Sequence, residues 1–268
     1  FRLHGRRIEL GTRHDANGHC LHGGPGGLHS YTWRLADRPD DATAVFECHS
    51  RDGNEGFPGA LTAAVSYSLR STQLIIVLSA ESDADTVVNL TNHAYFNLTG
   101  SPSIQGHRIM IDADTYTPVD GEFRPTGEIV SVAGTAFDFR RYRLLSERLR
   151  HGLTGYDHNF VLARATGRYI EADGNRAEFA ASAHSPEAGL RLNVYTSQPG
   201  LQFYTGHLLG PPFSPLQGFC FEAQAFPDAP NQPAFPCALL RAGECYRQII
   251  VYEFDIDENP DRASEPAE

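Results

Sequence analysis

The chain has 268 residues, 41% of them apolar, enough to build a real core in one large β domain or two ordinary ones. Its 22 basic and 33 acidic residues leave a net charge of −11, which disfavours nucleic acid and anionic membrane as partners. Every basic residue is an arginine, so the lysine-dependent classes (Walker-type phosphate loops, Schiff-base aldolases, pyridoxal enzymes) are excluded.

Residues 21–27 (LHGGPGG) set His22 before a glycine cluster that permits positive φ or close approach of backbone to a ligand. No helix pattern or lysine follows, which argues against a phosphate cradle. His19, His22 and His29 are irregularly spaced and lack a matching carboxylate set, so no metal site is read from them. Leu61, Ala63, Val65, Tyr67 and Leu69 then alternate as a half-buried strand, and residues 73–80 (QLIIVLSA) read as a more completely buried one.

Residues 89–100 (NLTNHAYFNLTG) also read as strand. Alternation puts Asn89, Thr91, His93 and Tyr95 on one side and Val88, Leu90 and Ala94 on the other, with Asn92 the polar intruder. Such a polar row suits the floor of a solvated cleft; the plain alternative is a solvent-facing edge with an idle histidine. Only residues 144–151 look helical.

Residues 155–162 (GYDHNFVL) place Asp157 beside a strand, and residues 194–206 (VYTSQPGLQFYTG) place Gln198 just before a Pro-Gly turn. Alone, either is an ordinary turn or cap residue. Leu190, Leu192 and Val194 alternate, as do Phe219, Phe221, Ala223 and Ala225. Within that last run stands Glu222, and an ionised carboxylate does not enter apolar surroundings without a partner or a purpose. A structural ion pair with an arginine is the competing explanation. The tail from Asp255 (DIDENPDRASEPAE) is acidic and proline-containing, and is expected to fray.

Frequent turn signals between short alternating runs argue for an antiparallel β-sandwich. No composition shift divides the chain, so one domain over 1–255 and a flexible tail over 256–268 are expected. Five scattered cysteines without a Cys-x-x-Cys pair indicate neither zinc ribbon nor disulfide framework. With no signal peptide or membrane-length apolar run, the expectation is a reduced, soluble, cytoplasmic protein, monomer or homodimer. His93 and Glu222 together offer a proton donor and a proton acceptor near neutrality.

Taken in order, LHGGPGG, GNEGFPGAL, VNLTNHAYFNL, DADTYTPVD, PTGE with GTAFDF, GYDHNF, TSQPGLQFYTG and FCFEAQAFPDAPNQPAFP resemble the aldose 1-epimerase (galactose mutarotase) family almost end to end. The resemblance implies an all-β fold, a large antiparallel supersandwich with an open sugar cleft. It implies an isomerase that interconverts α and β anomers of free hexoses such as galactose and glucose, without cofactor or metal. His93 would donate a proton to the sugar ring oxygen and Glu222 would be the base on the anomeric hydroxyl. His22, Asp157 and Gln198 would hold sugar hydroxyls, and Tyr95 would line the same wall.

The resemblance begins at residues 1–10 (FRLHGRRIEL), the strand pair preceding the His-Gly-Gly block. The family's earlier strands, with an Asn-Arg-Ile arginine that contacts sugar, are thus expected to be missing here; register puts Arg7 in the following strand, so it is not assigned that role. Two alternatives stay open: a hexose-6-phosphate epimerase, for which Arg140 and Arg141 are the candidate phosphate pair, and a catalytically impaired sugar-binding module.

Overall fold

In the computed structural model, residues 1–11, 18–149 and 153–256 are described. A ten-stranded antiparallel sheet dominates. Its hydrogen-bonded order is Arg143–Leu144, Arg108–Ile111, Asn175–Ser185, Leu190–Thr196, Cys245–Ile256, Gln73–Ser82, Leu61–Arg70, Thr43–Ser50 and Arg34–Asp40, with Tyr169–Ala172 paired to Asn175–Ser185. A five-stranded sheet runs Val130–Ser131, Ala113–Thr117, Asp157–Leu162, Gly200–Tyr204, Cys220–Gln224. At the start of the chain Arg2–Leu3 pairs with Arg6–Arg7, the expected strand pair.

The two sheets face each other across one main core. Ile76, Leu78, Ile109, Ala181, Val194, Ile250 and Tyr252 come from the larger sheet, and Phe160, Leu201, Phe203, Phe221 and Ala223 from the smaller. This is the sandwich that alternation predicted, each strand sending every second side chain inward. Residues 73–80 look continuously apolar because both their faces are used: Ile76 and Leu78 enter the main core, while Ile75 and Val77 pack on a second cluster around Phe179, Tyr195 and Val251.

One expectation is corrected. Residues 88–95 pair in no sheet; only Thr86–Val87 forms a strand, and Phe96 makes a single bridge to Phe219. The short helix expected over 144–151 is present as one turn, Leu145–Arg148, and residues 150–151 of that stretch lie outside the described residues. The last strand carries Asp255 and Ile256, so it extends into the segment expected to fray, and 257–268 lie outside the described residues. Among the described residues no helix is long and apolar enough to cross a membrane.

Candidate active site

The smaller sheet has a second face, turned away from the core. Register sets Asp157 opposite Tyr204, Gln202 opposite Glu222, and Tyr204 opposite Cys220, so five polar side chains gather on that face of three neighbouring strands. Glu222 lies on the edge strand, and its immediate neighbours Phe221 and Ala223 point into the core. The apolar sequence around it therefore reports the opposite face.

The segment carrying His93 lies along this edge and covers it. It is tied down by side chains: Asn89 Nδ2 donates to the Ala225 carbonyl (3.0 Å), Asn89 Oδ1 accepts from the Ala225 amide (2.9 Å), and Thr91 Oγ1 donates to the Ala223 carbonyl (2.8 Å). Beyond His93, Phe96 and Phe219 exchange backbone hydrogen bonds of 2.8 and 3.0 Å. Asn92, the polar intruder, accepts from the Ala94 amide (3.2 Å) and from the Tyr252 hydroxyl (3.4 Å). Asn89 and Thr91 are thus docking groups that present His93, and the expected polar cleft floor belongs instead to the smaller sheet.

His93 Nε2 stands 3.6 Å from Glu222 Oε2, and His93 Nδ1 3.4 Å from the Cys220 sulfur. Tyr95 stacks on the His93 ring at 5.2 Å and 27°. The His22 and His93 rings meet edge-on, with centroids 5.3 Å apart at 89°. The His22 turn requires its glycines, since His22, Gly23 and Gly24 all have positive φ. Two side chains of the GNEGFPGAL block hold this turn: the Gly26 amide donates to Glu55 Oε1 (2.8 Å), and Asn54 Nδ2 donates to the Gly26 carbonyl (2.8 Å).

Burial sets the electrostatics. Glu222 is 5% exposed, and loss of water, followed by repulsion from Asp157, pushes its pKa up to about 8. Burial also raises Asp157, against the opposing pull of a 2.8 Å hydrogen bond from Gln202 Nε2 and of His207 and His93. The Cys220 thiol is fully buried and held far above its ordinary range by that burial and by the Glu222 and Asp157 carboxylates. His22 stands at the exposed rim; loss of water on its cleft side, then the His93 and His29 rings, push its pKa down. A base and an imidazole within ~3 Å reach of two oxygens on one carbon can exchange protons with both.

His22, His93, Tyr95, Asp157 and Glu222 therefore converge as expected, and among the described residues no arginine pairs with Glu222. Gln198 does not join them. It lies in the turn before Gly200, at the end of that strand remote from Tyr204, with its carbonyl accepting from Arg164 Nη2 (3.1 Å). Gln202 occupies the place assigned to it: Nε2 bonds Asp157, while Oε1 is buried and accepts no hydrogen bond among the described residues. Alternation from Glu222 would have found Cys220; Gln202 and Tyr204 required the pairing of strands.

Arg140 is already engaged, at 2.8 Å from Asp138 and 3.4 Å from Asp114, which weighs against a phosphate role for it. The donor atoms of His93, Cys220 and Glu222 lie within 4.8 Å of one another, a set able in kind to hold a borderline divalent ion. Each nitrogen of His93 faces a different partner, however, and the thiol is held protonated. The trio is thus disposed as a hydrogen-bonded row more than as a chelate.

The family model described as aldose 1-epimerase matches residues 1–253. A galactose mutarotase of Homo sapiens is 40% identical over 267 residues, spanning 96% of this chain and 74% of that protein. An aldose 1-epimerase of Escherichia coli K12 is 38% identical over 250 residues, spanning 87% and 70%. Among solved structures, an aldose epimerase homologue from C. elegans superposes with a TM-score of 0.85 at 30% identity, covering 95% of this chain and 77% of that one. A galactose 1-epimerase from Lactobacillus acidophilus gives 0.80 at 26% identity, covering 96% and 76%.

Proposed function

The chain belongs to the aldose 1-epimerase family, and on that premise we propose how its cleft carries out the isomerisation. It is an isomerase that interconverts the α and β anomers of hexoses. Galactose and glucose are the proposed substrates. The ionised Glu222 takes the proton of the C1 hydroxyl while His93, as imidazolium, gives one to the ring oxygen. The C1–ring-oxygen bond breaks, C1 becomes a carbonyl, and the open aldehyde turns about C1–C2. Re-closure on the opposite face returns both protons, with the two residues exchanging roles. Electrons stay paired and the protons exchanged with the protein balance, so no redox group is consumed.

Asp157, Gln202 and His22 hold hydroxyls around that reaction, Gln202 Oε1 as an acceptor and Asp157 as a carboxylate held in place by Gln202. Tyr95 lines the wall by its stack on His93. The observation that carries the reading is the 3.6 Å approach of His93 Nε2 to Glu222 Oε2 beside a carboxylate tuned by burial. Five free cysteines suit a reducing compartment, and the cytoplasm is the proposed location, with a monomer or homodimer as the working assembly.

Polarimetry of freshly dissolved α-D-glucose and α-D-galactose tests the assignment. The protein should accelerate both, and Glu222→Gln and His93→Gln should each lower kcat by ~10²–10⁴-fold, the usual worth of one acid or base. Folded protein that leaves both mutarotation rates at their spontaneous values would refute it. Glucose 6-phosphate should turn over more slowly than glucose.

A further inference from the structure

Cys220 has no place in the proton exchange just described, yet it is the group nearest to one nitrogen of the proton donor. Residues 220 and 222 lie two apart on one strand and so share a face. Each addresses a different nitrogen of the same ring: Cys220 Sγ lies 3.4 Å from His93 Nδ1, and Glu222 Oε2 lies 3.6 Å from His93 Nε2. The thiol is fully buried, and Tyr95 stacks upon the same ring that the sulfur meets. Gly218 lies close beneath Tyr95, where an added Cβ would stand 3.3 Å from the Tyr95 Cβ.

We propose that Cys220 is a positioning residue for His93, fixing the ring by its Nδ1 so that Nε2 alone delivers and recovers the proton. This rests on the assignment of His93 as the donor. When the ring is neutral, the thiol S–H donates to Nδ1 and the remaining proton sits on Nε2, facing Glu222. When the ring is an imidazolium, Nδ1–H donates to the sulfur after rotation about one S–H torsion. A hydroxyl or thiol can serve both states; a carboxylate can only accept. The choice has a further result. A neutral sulfur is a weak acceptor, so it orients the ring without placing a second charge beside it. Among the described residues, the carboxylate that touches His93 is then the base itself.

The test pairs a spectroscopic readout with kinetics. Long-range ¹H–¹⁵N spectra, with the His93 signal assigned by its loss in His93→Gln, should show the neutral ring protonated at Nε2 in the wild type and in Cys220→Ser. Cys220→Ala should give a mixture of tautomers. For turnover, Cys220→Ala should lower kcat by ~10-fold with KM within about twofold, while Cys220→Ser should stay within about threefold of wild type. An unchanged tautomer in Cys220→Ala, or equal losses in the alanine and serine variants, would overturn the proposal. Should Cys220→Ala not fold, the serine variant and the wild-type tautomer decide: an Nδ1-protonated neutral ring in wild type refutes it. Failure of the enzymatic assignment would appear separately, as a wild type with no mutarotation activity whatever its tautomer.

Discussion

A carboxyl group that loses its water on folding holds its proton more tightly, and Glu222 holds it up to a pH of about 8 against an ordinary value of 4.5. As a base it must be ionised while His93 must still carry its proton, so kcat/KM should follow a bell-shaped pH profile, with ionisation of Glu222 setting one of its limbs, measurable by polarimetry across pH ~5 to ~9.5. Stability falls with the same ionisation. Between 4.5 and about 8 the folded protein keeps a proton that the unfolded chain has released, so folding loses free energy as pH rises across that window. At ~1.4 kcal/mol per pKa unit the loss is at most about 4–5 kcal/mol. Glu222→Gln should therefore match wild type in Tm near pH 4.5 and exceed it above pH 8. A variant no more stable than wild type at high pH would mean the carboxylate is stabilised when charged. Glu222 was legible from sequence because its contradiction with its neighbours is local. The sequence points to Gln198 and not to Gln202 because which glutamine faces the base depends on the pairing of Gly200–Tyr204 with Cys220–Gln224, and no short-range pattern encodes that.

Two connecting segments, neither a sheet strand, present the site, and they should separate kinetically. The His93 segment is docked through Asn89 and Thr91, whose side-chain hydrogen bonds stand where ladder bonds would be. Asn89→Ala removes two of them, at a cost of roughly 1–2 kcal/mol, and loosens the donor; kcat should fall several-fold with KM little changed. The His22 turn is clamped by Asn54 and Glu55. Glu55→Ala frees a binding group but leaves the donor and base in place, so KM should rise several-fold with kcat nearly kept. Equal effects of both variants on kcat would contradict this division. The strand expected over 89–100 came from true alternation. The structure uses the polar side of the row to bond the neighbouring backbone instead of water.

Across the molecule, alternation revealed two-faced strands and hence a sandwich, but not which polar face would be the cleft. That depends on the order of strands in the five-stranded sheet, a long-range property. The core behind the cleft is aromatic: Phe203 lies within 5.3–5.7 Å of the Phe221, Tyr156 and Phe139 rings. Its strand neighbours Gln202 and Tyr204 face the site, so the same backbone serves both sides. Phe203→Ala should cost ~3–5 kcal/mol, read as a lowered urea midpoint, and depress kcat through its neighbours. Phe179→Ala, in the cluster on the far face of the larger sheet, should cost stability by a comparable mechanism and spare kcat.

The bond from Thr91 to the Ala223 carbonyl joins positions 132 residues apart. Closures of that span form late, because little chain entropy is recovered until the intervening strands are in place. Proton traffic thus begins only after a ribosome has emitted the edge strand and that strand has found its early partner. Sugar turnover would then report completed tertiary assembly, and half-made chains would be chemically silent.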